Sequence, residues 1–340
     1  MTGRERFLAA VHGESTDSLL NIPITMMKAA DAVRVPYKRY ALDAEAHAAG
    51  QIAIARTYDI DHVSGISDPA VEAADLGATV IYRDDAPPAI DDSHTLLADK
   101  TRLATLKMPD PRSTPRMGKR IDVVARLHRE VGAEKAVEGW IEGPIAQACD
   151  LRGMSAVMID FFDDPPFIRD LTAFVFEMEI AFARAQVEAG ADYIGVGDAA
   201  ASLIGPDLYR EFAWEHEKRY VREIHRMGVP VRLHICGNIT ALLPLIREVG
   251  ADLLDLDSMV SVSDARREVG ADTVLSGNIN PVAVVRDGSP TLVTDRLEEC
   301  LADAGSRRYA VAAGCEIPRD SPDANLHAMT RFARSHRAAG

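Results

Sequence analysis

The sequence predicts an α/β chain folded as a (β/α)8 TIM barrel with an N-terminal helical extension, and three observations carry that expectation. From about residue 130 onward, short β-rich runs alternate with stretches of helical periodicity, the pattern of βα units on a parallel sheet. Eight such runs can be counted along the chain, the number that closes this kind of barrel. Three helical stretches end in the same Gly-Ala-Asp tripeptide, at Gly190, Gly250 and Gly270. A glycine there can take positive φ and close a helix before the next strand.

Residues 1–60 read as a helical extension that includes the first strand, SLLNIPIT (18–25), and DHVSGISD (61–68) is the second. The stretch from Asp84 to Lys119 is rich in Pro and Asp and poor in periodicity, so a long excursion over the barrel is expected there. The remaining strands are AVEGWIEG (136–143), DYIGVGD (192–198), VRLHICGN (231–238), DLLDLD (252–257), TVLSGNI (273–279) and YAVAAG (309–314). Between them, segments 168–190, 239–250 and 291–305 carry apolar residues at helical spacing. No low-complexity tract or linker interrupts the chain, so residues 1–340 are expected to form one barrel domain.

The bulk composition excludes several function classes. Asp and Glu number 52 against 38 Lys and Arg, a net charge of −14, which repels phosphate backbones and anionic lipid. Neither nucleic acid nor membrane is therefore an expected partner. The N-terminal MTGRERFLAAVHGESTD lacks an apolar core and a small-residue cleavage site, so no signal peptide is expected. Four cysteines, Cys149, Cys236, Cys300 and Cys315, are too few for a disulfide framework, and a cytoplasmic location fits them.

The strongest local feature is Leu233-His234-Ile235-Cys236-Gly237-Asn238 at the end of a strand. Side chains two apart share a face, so His234 and Cys236 can enter one site, and imidazole with thiolate suits zinc. Alone, such a triplet also describes a buried thiol beside a satisfied histidine. Cys315 shifts the balance toward metal: it ends another strand, 79 residues on, at the same C-terminal rim where barrel enzymes place their sites. Asp257 and Asp198, both at strand ends, are candidates for a fourth ligand, an orienting partner or a proton carrier; either can equally cap a helix. Asn238 and Asn278 follow strand-end glycines and can line the rim or cap helices. Met26 and Met27 can line a cavity or pack in the core. Cys149 and Cys300 fall in helical segments as inert core thiols, and His216 and His225 read as surface residues.

The segments GPIAQACDLRG (143–153), EAGADYIGVGDAAAS (188–202), VRLHICGN, LSGNINP (275–281) and AGCEIPRDSPDANL (313–326), with the opening RERFLAAVHGE, resemble the uroporphyrinogen decarboxylase superfamily. Within it they are similar to the zinc-dependent methylcobamide:coenzyme M methyltransferase branch. The resemblance implies a barrel with zinc on His234, Cys236 and Cys315. It implies methyl transfer between a methylated corrinoid, carried on a partner protein, and a small-molecule thiol or pterin acceptor. It places the helix bearing Tyr209 near the active-site mouth; with the strand-end positions above, Tyr209, Asn238 and Asn278 are candidate cofactor contacts, and Asp198 and Asp257 catalytic candidates. Zinc-dependent methionine synthases are similar at a distance, but carry Glu near the position of Asp257. A homodimer is left open.

Two other readings compete. A true decarboxylase needs arginines for the acidic side chains of its substrate. Where those enzymes carry Arg-Gln-Ala-Gly-Arg, this chain reads Met27-Lys28-Ala29-Ala30-Asp31, lacking both. A non-catalytic subunit that binds the corrinoid or methyl carrier would have the barrel without zinc or turnover. No D-x-H-x-x-G corrinoid motif is present, so the corrinoid must arrive from outside the chain.

Overall fold

In the computed structural model, which describes residues 1–338, eight parallel strands succeed one another around a barrel. They are β1 (Leu20–Asn21), β2 (His62–Ser64), β3 (Ala136–Glu142), β4 (Tyr193–Gly197), β5 (Val231–His234), β6 (Leu253–Asp255), β7 (Val274–Ser276) and β8 (Tyr309–Val311). Strands β2 to β8 pair in sequence order, and β8 returns to β1. The seam between β1 and β2 is stitched by Asp61, whose backbone N–H donates to Asn21 O at 2.9 Å. Its carboxylate accepts from Asn21 N at 2.8 Å. The eight runs expected from sequence are all strands, each shorter than its run. In VRLHICGN, regular pairing stops at His234, and the remainder bends over the rim to supply site residues.

Alternation sorts the strand side chains. Val231 and Leu233 of β5 join the apolar core beneath the outer helices, while Arg232 and His234 point the other way, into the barrel, where both bond to Asp255 and Arg232 also reaches Glu138 and the Ile22 carbonyl. The helix Pro165–Glu188 shows why the outer layer forms. Asp164 caps its first turn through Phe167 N, Pro165 opens it, and Ile168, Leu171, Val175, Met178 and Phe182 recur at helical spacing on the buried face.

One element closes the barrel floor. The helix Gly3–His12 starts with a reciprocal capping box between Thr2 and Glu5. Its Phe7, Ala10 and Val11 pack on Leu20, Ile22, Ala136, Tyr193, Leu253, Val274 and Ala310 at the strand beginnings. Phe7 stacks on Tyr193 with centroids 4.3 Å apart. The floor is thereby filled, and access is left to the opposite, carboxyl end.

The excursion expected over Asp84 to Lys119 is corrected at its far end. A small antiparallel ribbon (Val80–Ile81 with Ala89–Ile90) spans its start, and short helical segments follow at Asp92–His94 and Lys100–Thr105. A helix, Pro115–Val131, then begins inside the expected loop. Its first turn is capped from a distance: the Asp75 carboxylate accepts from Arg116 N at 3.0 Å and Met117 N at 2.7 Å. Local sequence cannot announce such a cap. No helix among the described residues is long and apolar enough to cross a membrane.

Because Phe7 is wholly buried in the floor, Phe7→Ala should cost ~3–5 kcal/mol. Equilibrium urea denaturation of the two proteins measures it, and a cost below ~1 kcal/mol would show that the floor plug is not a packed part of the core.

Candidate metal centre

Strand β5 carries Arg232, His234 and, just past its end, Cys236 on one face. His234 is paired in register with Asp255 of β6, and its Nδ1 lies 3.0 Å from Asp255 Oδ2. That contact sets the ring so that Nε2 points to Cys236 Sγ, 3.0 Å away. Cys236 Sγ lies 3.9 Å from Cys315 Sγ, both thiols being free. The three donor atoms all fall within 4.8 Å of one another. A tetrahedral zinc with sulfur at ~2.3 Å sets its two sulfurs ~3.8 Å apart, so the donor set and spacing fit that ion.

A buried charge network supports the centre from below. The Arg232 guanidinium donates to Asp255 Oδ2 at 2.8 Å, to Glu138 Oε1 at 3.2 Å and to the Ile22 carbonyl at 3.2 Å. Burial alone would push the Asp255 carboxyl up, but Arg232 and His234 together hold it down at about 2. Asp255 is thus a permanent anion that fixes the imidazole, the second-layer arrangement expected behind a metal-ligating histidine. A hydrogen bond from Cys236, opposed by burial and aided by His234, draws the Cys315 thiol well below its ordinary range.

Beside the three donors lies a cavity of about 140 Å³, lined also by Ile24, Met26, Ile66, Pro69, Trp140 and the carboxyl residues Asp68, Glu142 and Glu316. Trp140 forms a wall, with its ring centroid 6.1 Å from that of His234 and its Nε1 donating to Glu142 Oε1 at 3.0 Å. The glycines of β4 make room for it. A Cβ on Gly195 would sit 2.3 Å from Trp140 Cε3, and one on Gly197 2.6 Å from Cζ2. Gly237, at φ 84°, lets the chain turn over the rim directly after Cys236.

The structure brings His234, Cys236 and Cys315 together and sets the other candidates around them. Asp257 lies outside the three-donor group. Its Oδ2 accepts from Gly237 N at 2.9 Å and its Oδ1 from Met259 N at 3.0 Å, so it pins the Cys236 turn. Asp198 is fully buried and accepts from Ile145 N and Ala146 N at 3.1 and 2.7 Å, capping the helix Pro144–Arg152. Burial pushes it up to about 7. Tyr209 is buried, its hydroxyl donating to Glu217. Asn238 is exposed and turns back to Thr240 N. Asn278 donates to the carbonyls of Asp257 and Val260 at 2.9 and 2.6 Å, bracing the loop after β6. None of these five side chains lines the cavity. Met26 does line it, while Met27 N donates to Glu316 Oε1 at 2.7 Å.

Sequence reasoning missed Asp255, Arg232, Trp140 and Glu142. The signal existed: Arg232, His234 and Cys236 alternate with Val231, Leu233 and Ile235, and Asp255 alternates with Leu254 and Leu256 on the neighbouring run. Charge at period two inside a barrel strand marks an inward-facing network.

A fold of this class with this centre finds its relatives readily. Residues 2–336 match the uroporphyrinogen decarboxylase (URO-D) family, and the chain belongs to it. The chain is 33% identical over 226 residues to methylcobamide:CoM methyltransferase MtbA of Methanosarcina mazei, covering 66% of this chain and 65% of that protein. It is 27% identical over 221 residues to uroporphyrinogen decarboxylase of Trichodesmium erythraeum, 63% of this chain and 62% of that one. The chain thus spans just under two-thirds of the length of either relative. Among solved structures, a methyltransferase from Methanosarcina mazei superposes with a TM-score of 0.89 at 22% identity, covering 98% of both chains, which shows the shared fold.

Asp255→Asn should leave the buried Arg232 with Glu138 as its remaining carboxylate and lower stability by ~2–3 kcal/mol. It should also weaken zinc binding by ~10–100-fold, read by competition with a colorimetric chelator. The folded pKa of Asp255, about 2, lies below the unfolded value of ~3.9. Its stabilisation is therefore complete above ~pH 4 and lost as pH falls toward 2, so the acid-unfolding difference between wild type and variant should vanish below that window.

Proposed function

We propose that this chain is a zinc-dependent methyltransferase that moves a methyl group between a methylated corrinoid, carried by a partner protein, and a thiol or pterin acceptor. The observation that carries this reading is the gathering of one imidazole and two thiols at the end of an apolar cavity, with the imidazole fixed from behind by a buried carboxylate. When bound there, zinc supplies a Lewis acid that takes an acceptor thiol as thiolate at neutral pH.

The chain's own residues do the rest. Cys236 and Cys315 bring two negative charges that balance the ion, so an added acceptor sulfur keeps its electron density. Hydrolytic zinc sites more often use histidine-rich sets with a carboxylate, which favours alkylation of sulfur over activation of water. Asp255 keeps His234 in the tautomer that leaves Nε2 free. Ile24, Met26, Ile66 and Trp140 exclude water from the reacting sulfur. The likeness to the methylcobamide:CoM methyltransferase of Methanosarcina mazei supports the same reaction class. A cytoplasmic setting keeps the thiols reduced.

Decarboxylation of a polycarboxylate is disfavoured by the cavity. Among the described residues, no Arg or Lys lines it. Lys28, in the segment where decarboxylases carry their arginines, donates instead to the Ser321 carbonyl at 2.7 Å and to Asp323 at 3.2 Å.

With methylcobalamin as donor and a panel of small thiols and reduced pterins, the zinc-loaded enzyme should convert the methylated corrinoid to the reduced form. The methyl group leaves cobalt without the bonding electron pair, which gives the spectral change. Cys236→Ala and Cys315→Ala should each lose more than ~100-fold, beyond the cost of losing an orienting partner alone. Metal-independent decarboxylation of uroporphyrinogen, or full activity in either cysteine variant, would overturn the assignment.

A further inference from the structure

Two segments at the open end of the barrel are fastened to each other, and one of them follows directly on a metal donor. The turn after β1 runs through Ile24, Thr25 and Met26 into the helix Met27–Ala32. No side chain at Met26 caps that helix. The Glu316 carboxylate does so from the far end of the chain, accepting from Met27 N at 2.7 Å. Ile317 N donates to the Ile24 carbonyl at 3.0 Å, and Lys28 Nζ to the Ser321 carbonyl at 2.7 Å. Arg319 Nε donates to Asp31 Oδ2 at 3.0 Å. These bonds lace residues 24–31 to residues 316–321, the segment that begins next to Cys315.

Met26 is the side chain that the lacing sets against the donors. It is half-buried, packed on the core and bordering the cavity that His234, Cys236 and Cys315 also line. An unbranched thioether is flexible, so it can fix a wall only where its backbone is held, and Glu316 holds the very next residue. We infer that Met26 sets the width of the acceptor that can reach the metal donors, and that Glu316 is the residue that positions it. The inference rests on the proposed thiol methylation and adds a size limit to its acceptor. A cavity of about 140 Å³ walled by Ile24, Met26, Ile66 and Trp140 selects the part of the acceptor next to its sulfur by shape. A slender methylene arm fits there, and a branched one meets Met26.

A pair of uncharged thiols separates width from everything else: 2-mercaptoethanol and 1-mercapto-2-methyl-2-propanol. They share the sulfur-bearing methylene and the hydroxyl, and the second adds a pair of methyl groups at the next carbon. The full-length protein, loaded with Co²⁺ in place of zinc, reports thiol binding through its visible spectrum without any turnover. Burying the extra methyls would by itself favour the branched thiol, so a wall reveals itself by the opposite order. At matched thiolate concentration, the wild type should bind the unbranched thiol at least ~10-fold tighter, the discrimination available against a group that a pocket cannot admit.

Met26→Ala removes the wall and should bring the two thiols to within ~3-fold of each other. Glu316→Ala leaves Met26 in place without its anchor and should narrow the preference in the same way. Glu316→Gln keeps an oxygen for the Met27 N–H and should retain the wild-type ratio. Circular dichroism and the thiol-free cobalt spectrum check the fold and metal site of each variant. Equal or tighter binding of the branched thiol by the wild type, or an undiminished preference in Met26→Ala, overturns the inference. An undiminished preference in Glu316→Ala, or loss of cobalt from that variant, overturns the positioning role of Glu316. A cobalt spectrum that neither thiol perturbs would instead sink the thiol reading itself.

Discussion

A guanidinium, a carboxylate and an imidazole stacked along the barrel interior hold the centre in place. Arg232, Asp255 and His234 are all buried and bonded in that order. A charge taken out of water needs a fixed partner, and here each member restricts its neighbour. Arg232 cannot shift without stranding Glu138 as well, and Asp255 cannot turn from Arg232 without releasing the ring of His234. Adjacent strands β5 and β6 carry this chain in register, so the geometry at the rim is inherited from strand pairing deep in the barrel. His234 ends β5 and Cys236 follows with only Ile235 between, before the chain turns at Gly237.

The two ends of the barrel divide the work accordingly. The floor is apolar and sealed by the helix Gly3–His12, with Phe7 at its centre. The opposite end opens as the strands stop, and there the chemistry-bearing residues gather: His234 at the end of β5, Cys236 and Cys315 just beyond two strand ends, and Glu142 as the last residue of β3. Between the two layers, Gly195 and Gly197 give up their side chains so that the Trp140 indole can lie against β4 and wall the cavity. Any side chain at either glycine would collide with the indole and displace it from this wall.

Much of this was legible in the sequence, and what was missed has physical reasons. The eight strands and their order followed from β-rich runs punctuated by glycine, and the trio His234, Cys236 and Cys315 followed from period-two spacing at strand ends. The carboxylate behind the histidine was harder. Asp255 and Asp257 share a face of one strand, and sequence favoured the latter for its terminal position. The structure sets Asp257 against Gly237 N and leaves Asp255 against the imidazole, a choice fixed by the register between β5 and β6 that one sequence does not reveal. Asp198 and Asn278 satisfy backbone groups of neighbouring segments, the ordinary alternative for a polar residue at a strand end. The start of the helix Pro115–Val131 was hidden because its cap, Asp75, is distant in sequence.

The proposed centre is a zinc held by one nitrogen and two sulfurs, with a position left for the acceptor. Zinc K-edge X-ray absorption on the purified protein tests that directly. It should give two sulfurs at ~2.3 Å and nitrogen or oxygen at ~2.0–2.1 Å, with a third sulfur joining when an acceptor thiol is added. A coordination shell without sulfur would contradict the zinc centre, and one that no thiol alters would rule out a thiol as the acceptor.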